Sequence, residues 1–240
     1  MELEIFVFAT VLAGALVQSS TGFGYAILVM ALWPLALSVP DTTQLLMFGC
    51  MVTSGYIAFK YRKHINLKLV LIPLILGLAG NYIGLTILLG MDNMVAVRII
   101  GVLLVLLSVY LYFFSGKVKI PSNIWASSLA GAASGLMGGF FNIAGPPIVL
   151  YYSAAARDKE EYNATVQFLF SVLIACKIVY LFVVRGLPET VLRLTPPVVV
   201  GSVLGMLIGL YLFDRLSTVT IKKLIYIFMF FSGLWYILRP

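Results

Sequence analysis

The chain is predicted to be all-α: a polytopic helical membrane protein of two inverted repeats, each a broken-helix hairpin followed by three transmembrane spans. Three observations predict this fold. Hydrophobic residues fill 62% of the 240 positions and charged residues only 10%, with a mean hydropathy of +1.07, whereas a soluble domain is roughly half apolar and a quarter charged. The apolar residues come in runs of about 20, enough to cross a bilayer core as a helix. Two of the runs are interrupted by residues that a continuous helix avoids. Residues 129–152 contain Gly131, Gly135, Gly138, Gly139, Gly145, Pro146 and Pro147, and residues 12–32 are a weaker copy. A single membrane domain over residues 1–240 follows, because the spans leave almost no room for a soluble one.

The first apolar segment, residues 3–39, would be about 55 Å long as one helix, far beyond a core of about 30 Å. It is therefore expected to fold back at Gln18-Ser19-Ser20-Thr21-Gly22-Phe23-Gly24 as a hairpin of two short helices, with Pro34 and Pro40 punctuating its second part. Irregular backbone at membrane depth is tolerated only where protein or a water-filled cavity surrounds it, so the tip is expected to face inward. Spans over residues 42–60, 67–89 and 95–114 complete a first repeat, residues 3–114. The second repeat, residues 122–239, has its broken segment at 124–156 and spans at 162–184, 190–213 and 218–238. The chain opens Met1-Glu2-Leu3-Glu4 without a basic leader region, so the first segment is expected to stay in the mature protein.

Orientation follows from the loops. The run Lys60-Tyr61-Arg62-Lys63-His64-Ile65-Asn66-Leu67-Lys68 is the densest basic cluster and marks a cytoplasmic loop. Alternating outward from it places Lys117, Lys119, Arg157, Lys159, Arg215, Lys222 and Lys223 inside and Asp41 and Asp92 outside. Both termini are then expected outside the inner membrane. The two halves also match in order: residues 12–15 with 129–132, Gln44 with Gln167, Gly80 and Gly84 with Gly205 and Gly209, and Arg98 with Lys223. Each half makes an odd number of crossings, so the second enters from the opposite face and the repeats are inverted.

Inverted repeats with interrupted helices are a recurring plan among secondary transporters, whose substrates sit where the breaks meet. The two interruptions are accordingly expected to face each other. Helix N-termini at a break offer unpaired N–H groups and a partial positive charge, which suit an anion. The candidate binding set at the breaks is Gln18, Ser19, Ser20, Thr21, Gly22, Phe23 and Gly24 with Gly138, Gly139, Asn142, Gly145 and Pro146. Gly14, Gly80, Gly84, Gly131, Gly205 and Gly209 fit close helix packing equally well. Lys177 lies inside its span, where a charge marks a site unless the side chain snorkels outward. Gln44 and Gln167, at matching positions, read equally as ligand donors or as interhelical hydrogen bonds, and Asn81 leans to the latter. No Asp or Glu falls in the middle of a span, which argues against a cation substrate.

Other classes lack their residues. The +7 formal charge is spread over short loops and forms no nucleic-acid footprint. His64, the single histidine, sits in the basic loop with no partner for a metal site or a catalytic triad, and no cofactor is expected. Gly22-Phe23-Gly24 and Gly138-Gly139 are not phosphate-binding fingerprints, because no strand precedes them and no Lys-Ser/Thr follows. Cys50 and Cys176 fall in apolar runs as packing residues.

At residues 18–26, QSSTGFGYA, and 135–147, GLMGGFFNIAGPP, the sequence resembles the sulfite exporter TauE/SafE family of membrane permeases. Relatives often carry glycine where this chain has Asn142 and Ala144. The resemblance covers the whole length and implies transport, often export, of small sulfur-containing anions such as sulfite, sulfoacetate or related organosulfonates. The leading expectation is thus a secondary transporter working by alternating access; a passive anion channel through the same site is the alternative, and an intramembrane enzyme the remote third.

Overall fold

A computed structural model describes residues 2–21, 24–114, 121–212 and 218–238, with backbone alone for residues 20, 21, 114, 212 and 218–224. Gly22, Phe23, Lys117, Lys119 and Arg215 lie outside the described residues, as do the side chains of Ser20, Thr21, Lys222 and Lys223. The described residues form ten α-helices and no strand: α1 Glu2–Thr21, α2 Tyr25–Leu32, α3 Val39–Lys60, α4 Leu67–Leu89, α5 Asn93–Phe114, α6 Ile124–Phe141, α7 Gly145–Ala155, α8 Lys159–Arg185, α9 Glu189–Leu212 and α10 Thr218–Leu238. Helices α1, α4, α5, α6, α8 and α9 are long and apolar enough to cross a bilayer, which makes this a multi-pass membrane protein. Helix α3 has the length but buries Thr42, Thr43, Gln44, Thr53 and Ser54, and α10 is apolar over Ile225–Leu238.

Polar residues at the loop ends start the helices. Asn66 Oδ1 accepts the N–H groups of Lys68 and Leu69 at the head of α4, and Asp92 Oδ1 that of Met94 at the head of α5. Asn123 does the same for α6 and Asp158 for α8. Such caps contribute about 1 kcal/mol each.

The hairpins differ from the expected pair of short helices. Their first arms, α1 and α6, run 20 and 18 residues, and only the second arms, α2 and α7, are short at 8 and 11. Gln18 and Ser19 remain helical, with Ser19 Oγ donating to the Ala15 carbonyl. Gly131, Gly135, Gly138 and Gly139 stay inside α6. A helical glycine costs only about 0.5–1 kcal/mol, and close packing offsets it.

The chain divides into two compact units, and the division falls inside α3 between Gly49 and Cys50. In the first unit (residues 1–49, 90–118 and 189–240) α1 packs along α9 and α5 along α10, while α2 lies against α1 and α10. A Cβ on Gly209 would come within 2.7 Å of the Leu16 carbonyl oxygen, and one on Gly205 would run into that of Leu12. Gly101 and Gly233 permit the same approach between α5 and α10. In the second unit (residues 50–89 and 119–188) α4 packs along α6, and α8 against α4 and α7. Here a Cβ on Gly80 would come within 2.7 Å of the Ala132 carbonyl oxygen, and one on Gly84 would strike that of Leu136. All four glycines are packing residues that let two backbones approach. The matched glycines meet residues 12 and 16 on one side and 132 and 136 on the other, three positions further along than the 12–15 with 129–132 match.

The second unit is tied at one end by Glu161. Its carboxylate accepts from Asn66 Nδ2 and from the Arg157 N–H, while the Asn66 N–H donates to Thr165 Oγ1. His64 is exposed in a 3₁₀ turn, Arg62–His64.

Candidate functional site

In the second unit the break lies between α6 and α7 and is built on Asn142. This residue caps α6 at φ 60°, ψ 9°, with its N–H on the Gly138 carbonyl. The left-handed region favours glycine and tolerates asparagine, so Asn142 can hold this turn without a glycine. Two further contacts close the turn: Ser134 Oγ donates to the Ala144 carbonyl at 2.7 Å, and Gly138, lacking a Cβ, leaves room for the Ala144 methyl. Gly139 packs against the backbone of Asn81.

Lys177 reaches this turn from α8. Its Nζ donates to the Gly138 carbonyl at 2.8 Å, the Gly139 carbonyl at 2.8 Å and Asn142 Oδ1 at 2.7 Å. The side chain is 3% exposed, so it points inward and does not snorkel. An ammonium has three protons, and all three are committed to the end of α6. Beside it, Leu78, Asn81, Tyr82, Leu85, Cys176, Lys177 and Tyr180 line a cavity of about 220 Å³. Asn81 serves mainly as scaffold, its Nδ2 donating to the Leu173 carbonyl at 3.2 Å. Cys50 is buried as expected, but Cys176 is exposed rather than packed, because its neighbour Lys177 takes the inward position on α8.

Helix α7 starts at Gly145, followed by Pro146 and Pro147. Proline has no N–H, so this N-terminus keeps its partial positive charge but loses two of the donors a helix start offers.

In the first unit the break precedes α2. Gly24 adopts φ 116°, a conformation that favours glycine. Tyr25, Ala26 and Ile27 follow it, each with an N–H at the start of α2. Tyr25 is fully buried, and its hydroxyl shares a 2.8 Å hydrogen bond with Ser202 Oγ of α9. Gly49 of α3 faces the same hydroxyl so closely that any Cβ would collide with it. The far end of the short arm is pinned by Trp33 Nε1 donating to Thr10 Oγ1 and by Tyr236 Oη donating to the Ala31 carbonyl. Gln18 is buried; Ser19 uses its one hydroxyl proton on Ala15 and is no donor to a ligand in this conformation.

Of the expected site residues, then, Gly138, Gly139, Asn142 and Lys177 form one hydrogen-bonded cluster, with Gly145 and Pro146 beginning the next helix. Gln167 is buried in α8, but ten residues before Lys177, or about 15 Å along the axis, and stands apart from that cluster. Gln44 is buried in α3 of the first unit. Ser134, Tyr25, Gly49 and Ser202 were not singled out from the sequence as site residues, although Tyr25 falls in one of the two stretches that carry the family resemblance.

Six helices of membrane-crossing length and two hairpin tips, one with a buried lysine, define a multi-pass membrane protein. The sequence pattern of the family described as sulfite exporter TauE/SafE matches residues 6–236, and the chain belongs to that family. Its members are membrane permeases, so the protein is a transporter and not an enzyme. Comparison with curated proteins and with solved structures finds no match.

Proposed function

We propose that the protein is an inner-membrane secondary transporter that exports a small sulfur oxyanion or organosulfonate, of the sulfite or sulfoacetate kind. Its two inverted repeats, residues 3–114 and 122–239, work by alternating access, with both termini outside. Each hairpin tip contributes to anion binding within its own unit: in the first the start of α2 brings N–H donors, and in the second the α6–α7 turn brings charge. The observation that carries this reading is the ammonium of Lys177 held at the α6–α7 turn by two backbone carbonyls and an amide oxygen. A buried cation of that kind suits an anion and repels a cation. The repeats are supported by the shared work of matched glycines, since Gly80 and Gly84 bring α4 onto α6 as Gly205 and Gly209 bring α9 onto α1.

The test is uptake of labelled sulfite, sulfoacetate and thiosulfate into proteoliposomes. Saturable uptake with counterflow is expected; no movement of any of the three sinks the proposal, and single-channel currents replace the carrier with a passive pore.

A further inference from the structure

We infer that Lys177 sets the charge selectivity of transport without touching the anion, by cancelling the negative end of helix α6. The inference rests on the transport reading above and adds a specificity-determining residue that acts through its neighbours.

The argument begins with the break itself. A helix C-terminus carries about half a negative charge on its last carbonyls, and a helix N-terminus about half a positive charge. At the α6–α7 turn only three residues separate the two ends, Phe141 closing one helix and Gly145 opening the next. Left alone they nearly cancel, and an anion approaching α7 would feel the carbonyls of α6 as well. Pro146 and Pro147 weaken the attraction further by removing two N–H donors. Lys177 changes that balance. Its ammonium sits on two of those carbonyls, Gly138 and Gly139, and on the side chain of the capping residue Asn142. With 3% exposure it has little water to screen it. The turn therefore carries one net positive charge, while all three ammonium protons stay on the protein. Contact with an anion would mean giving up one of three good hydrogen bonds; action through the field requires no movement.

Charge and hydrogen bonding can be separated by substitution. Lys177→Gln keeps an amide able to donate to the same carbonyls and loses the charge. Lys177→Arg keeps the charge. Asn142→Asp keeps the lysine, strengthens its contact and cancels its charge locally, at a position where aspartate also tolerates positive φ. Each full-length variant is compared with wild type in sulfite uptake and in the shift of melting temperature caused by methanesulfonate, an anion, and by dimethyl sulfone, a neutral molecule of similar shape.

Wild type is expected to prefer methanesulfonate by at least about tenfold. Lys177→Gln and Asn142→Asp should lose that preference to within roughly threefold and lose sulfite uptake at low concentration by about tenfold or more, while Lys177→Arg restores both. A folded Lys177→Gln or Asn142→Asp variant with the wild-type preference overturns the inference. So does equal loss of both ligands with no rescue by arginine, which would mark Lys177 as structural only. Should the glutamine variant fail to fold, Asn142→Asp decides alone. Absence of anion uptake by wild type condemns the transport reading itself, a distinct result.

Discussion

The two hairpin tips share a plan and differ in chemistry. At the first, α2 opens on Tyr25, Ala26 and Ile27, all with backbone N–H groups, and no Lys or Arg occurs in the sequence before Lys60. At the second, α7 opens on Gly145-Pro146-Pro147, poor in N–H donors, and a lysine is seated on the end of the preceding helix. One tip thus presents backbone donors, while the other is poor in donors and carries a lysine. Both are held rigid, by Tyr25 on Ser202 in the first unit and by Ser134 on Ala144 in the second. An anion site can be made from backbone dipoles or from a full charge, and under the proposed transport function this chain would use each once.

If that contrast is right, the largest effects should follow from disturbing what holds each tip. Gly49→Ala puts a methyl group into the Tyr25 hydroxyl, and such overpacking costs roughly 1–3 kcal/mol. The melting temperature in detergent is expected to drop by several degrees, and adding Tyr25→Phe should recover part of the loss, since the two residues are in contact. An additive double mutant would show that the hydroxyl is not what Gly49 accommodates. Next in size is Asn142. Asn142→Ala must hold an ordinary L-residue at φ 60° and loses the Lys177 acceptor, for about 1–2 kcal/mol. Asn142→Gly gives up only the acceptor and should be the milder of the pair in the same melting assay; equal losses in the two would mean that the side-chain bond, not the backbone, governs the turn. Ser134→Ala removes one hydrogen bond to the Ala144 carbonyl and should cost about 1 kcal/mol. No change in melting would show that the turn is held by Asn142 alone.

The breaks themselves were legible because glycine and proline leave a local mark. Gly24 and Asn142 sit where a helix must stop, and the apolar periods around them give the right number of helices. The matched glycines at 80, 84, 205 and 209 were legible as a pair of motifs but not in their role, since a missing side chain serves close packing and ligand contact alike; the structure puts another backbone against each. Arm length was not legible. Gln18 and Ser19 look like loop residues, yet in an apolar surrounding a helix satisfies its own backbone, and a serine can return its proton to the preceding turn, as Ser19 does to Ala15. The direction of Lys177 was also hidden, since outward snorkelling and inward capping differ only in where the end of α6 lies in space. Tyr25 and Ser202 stand 177 residues apart, and nothing local to either predicts their pairing.

The smallest expected effect bears most directly on the comparison. Pro146→Ala adds an N–H to the first turn of α7 and so makes the charged tip more like the donor-rich one. Proline is well tolerated in the first turn because a backbone N–H there has no partner within the helix, so replacing it should leave the fold intact. The new donor is not needed by the helix and is available to a ligand. For a charged ligand a weak added hydrogen bond of about 0.5 kcal/mol corresponds to roughly a twofold change in affinity. The KM for sulfite in proteoliposomes is therefore expected to fall by about that factor with little change in kcat, and more clearly in the Lys177→Gln background, where charge no longer dominates. A KM that rises in both backgrounds would mean that the proline ring itself shapes the tip, and that its poverty in donors is incidental to how the anion is held.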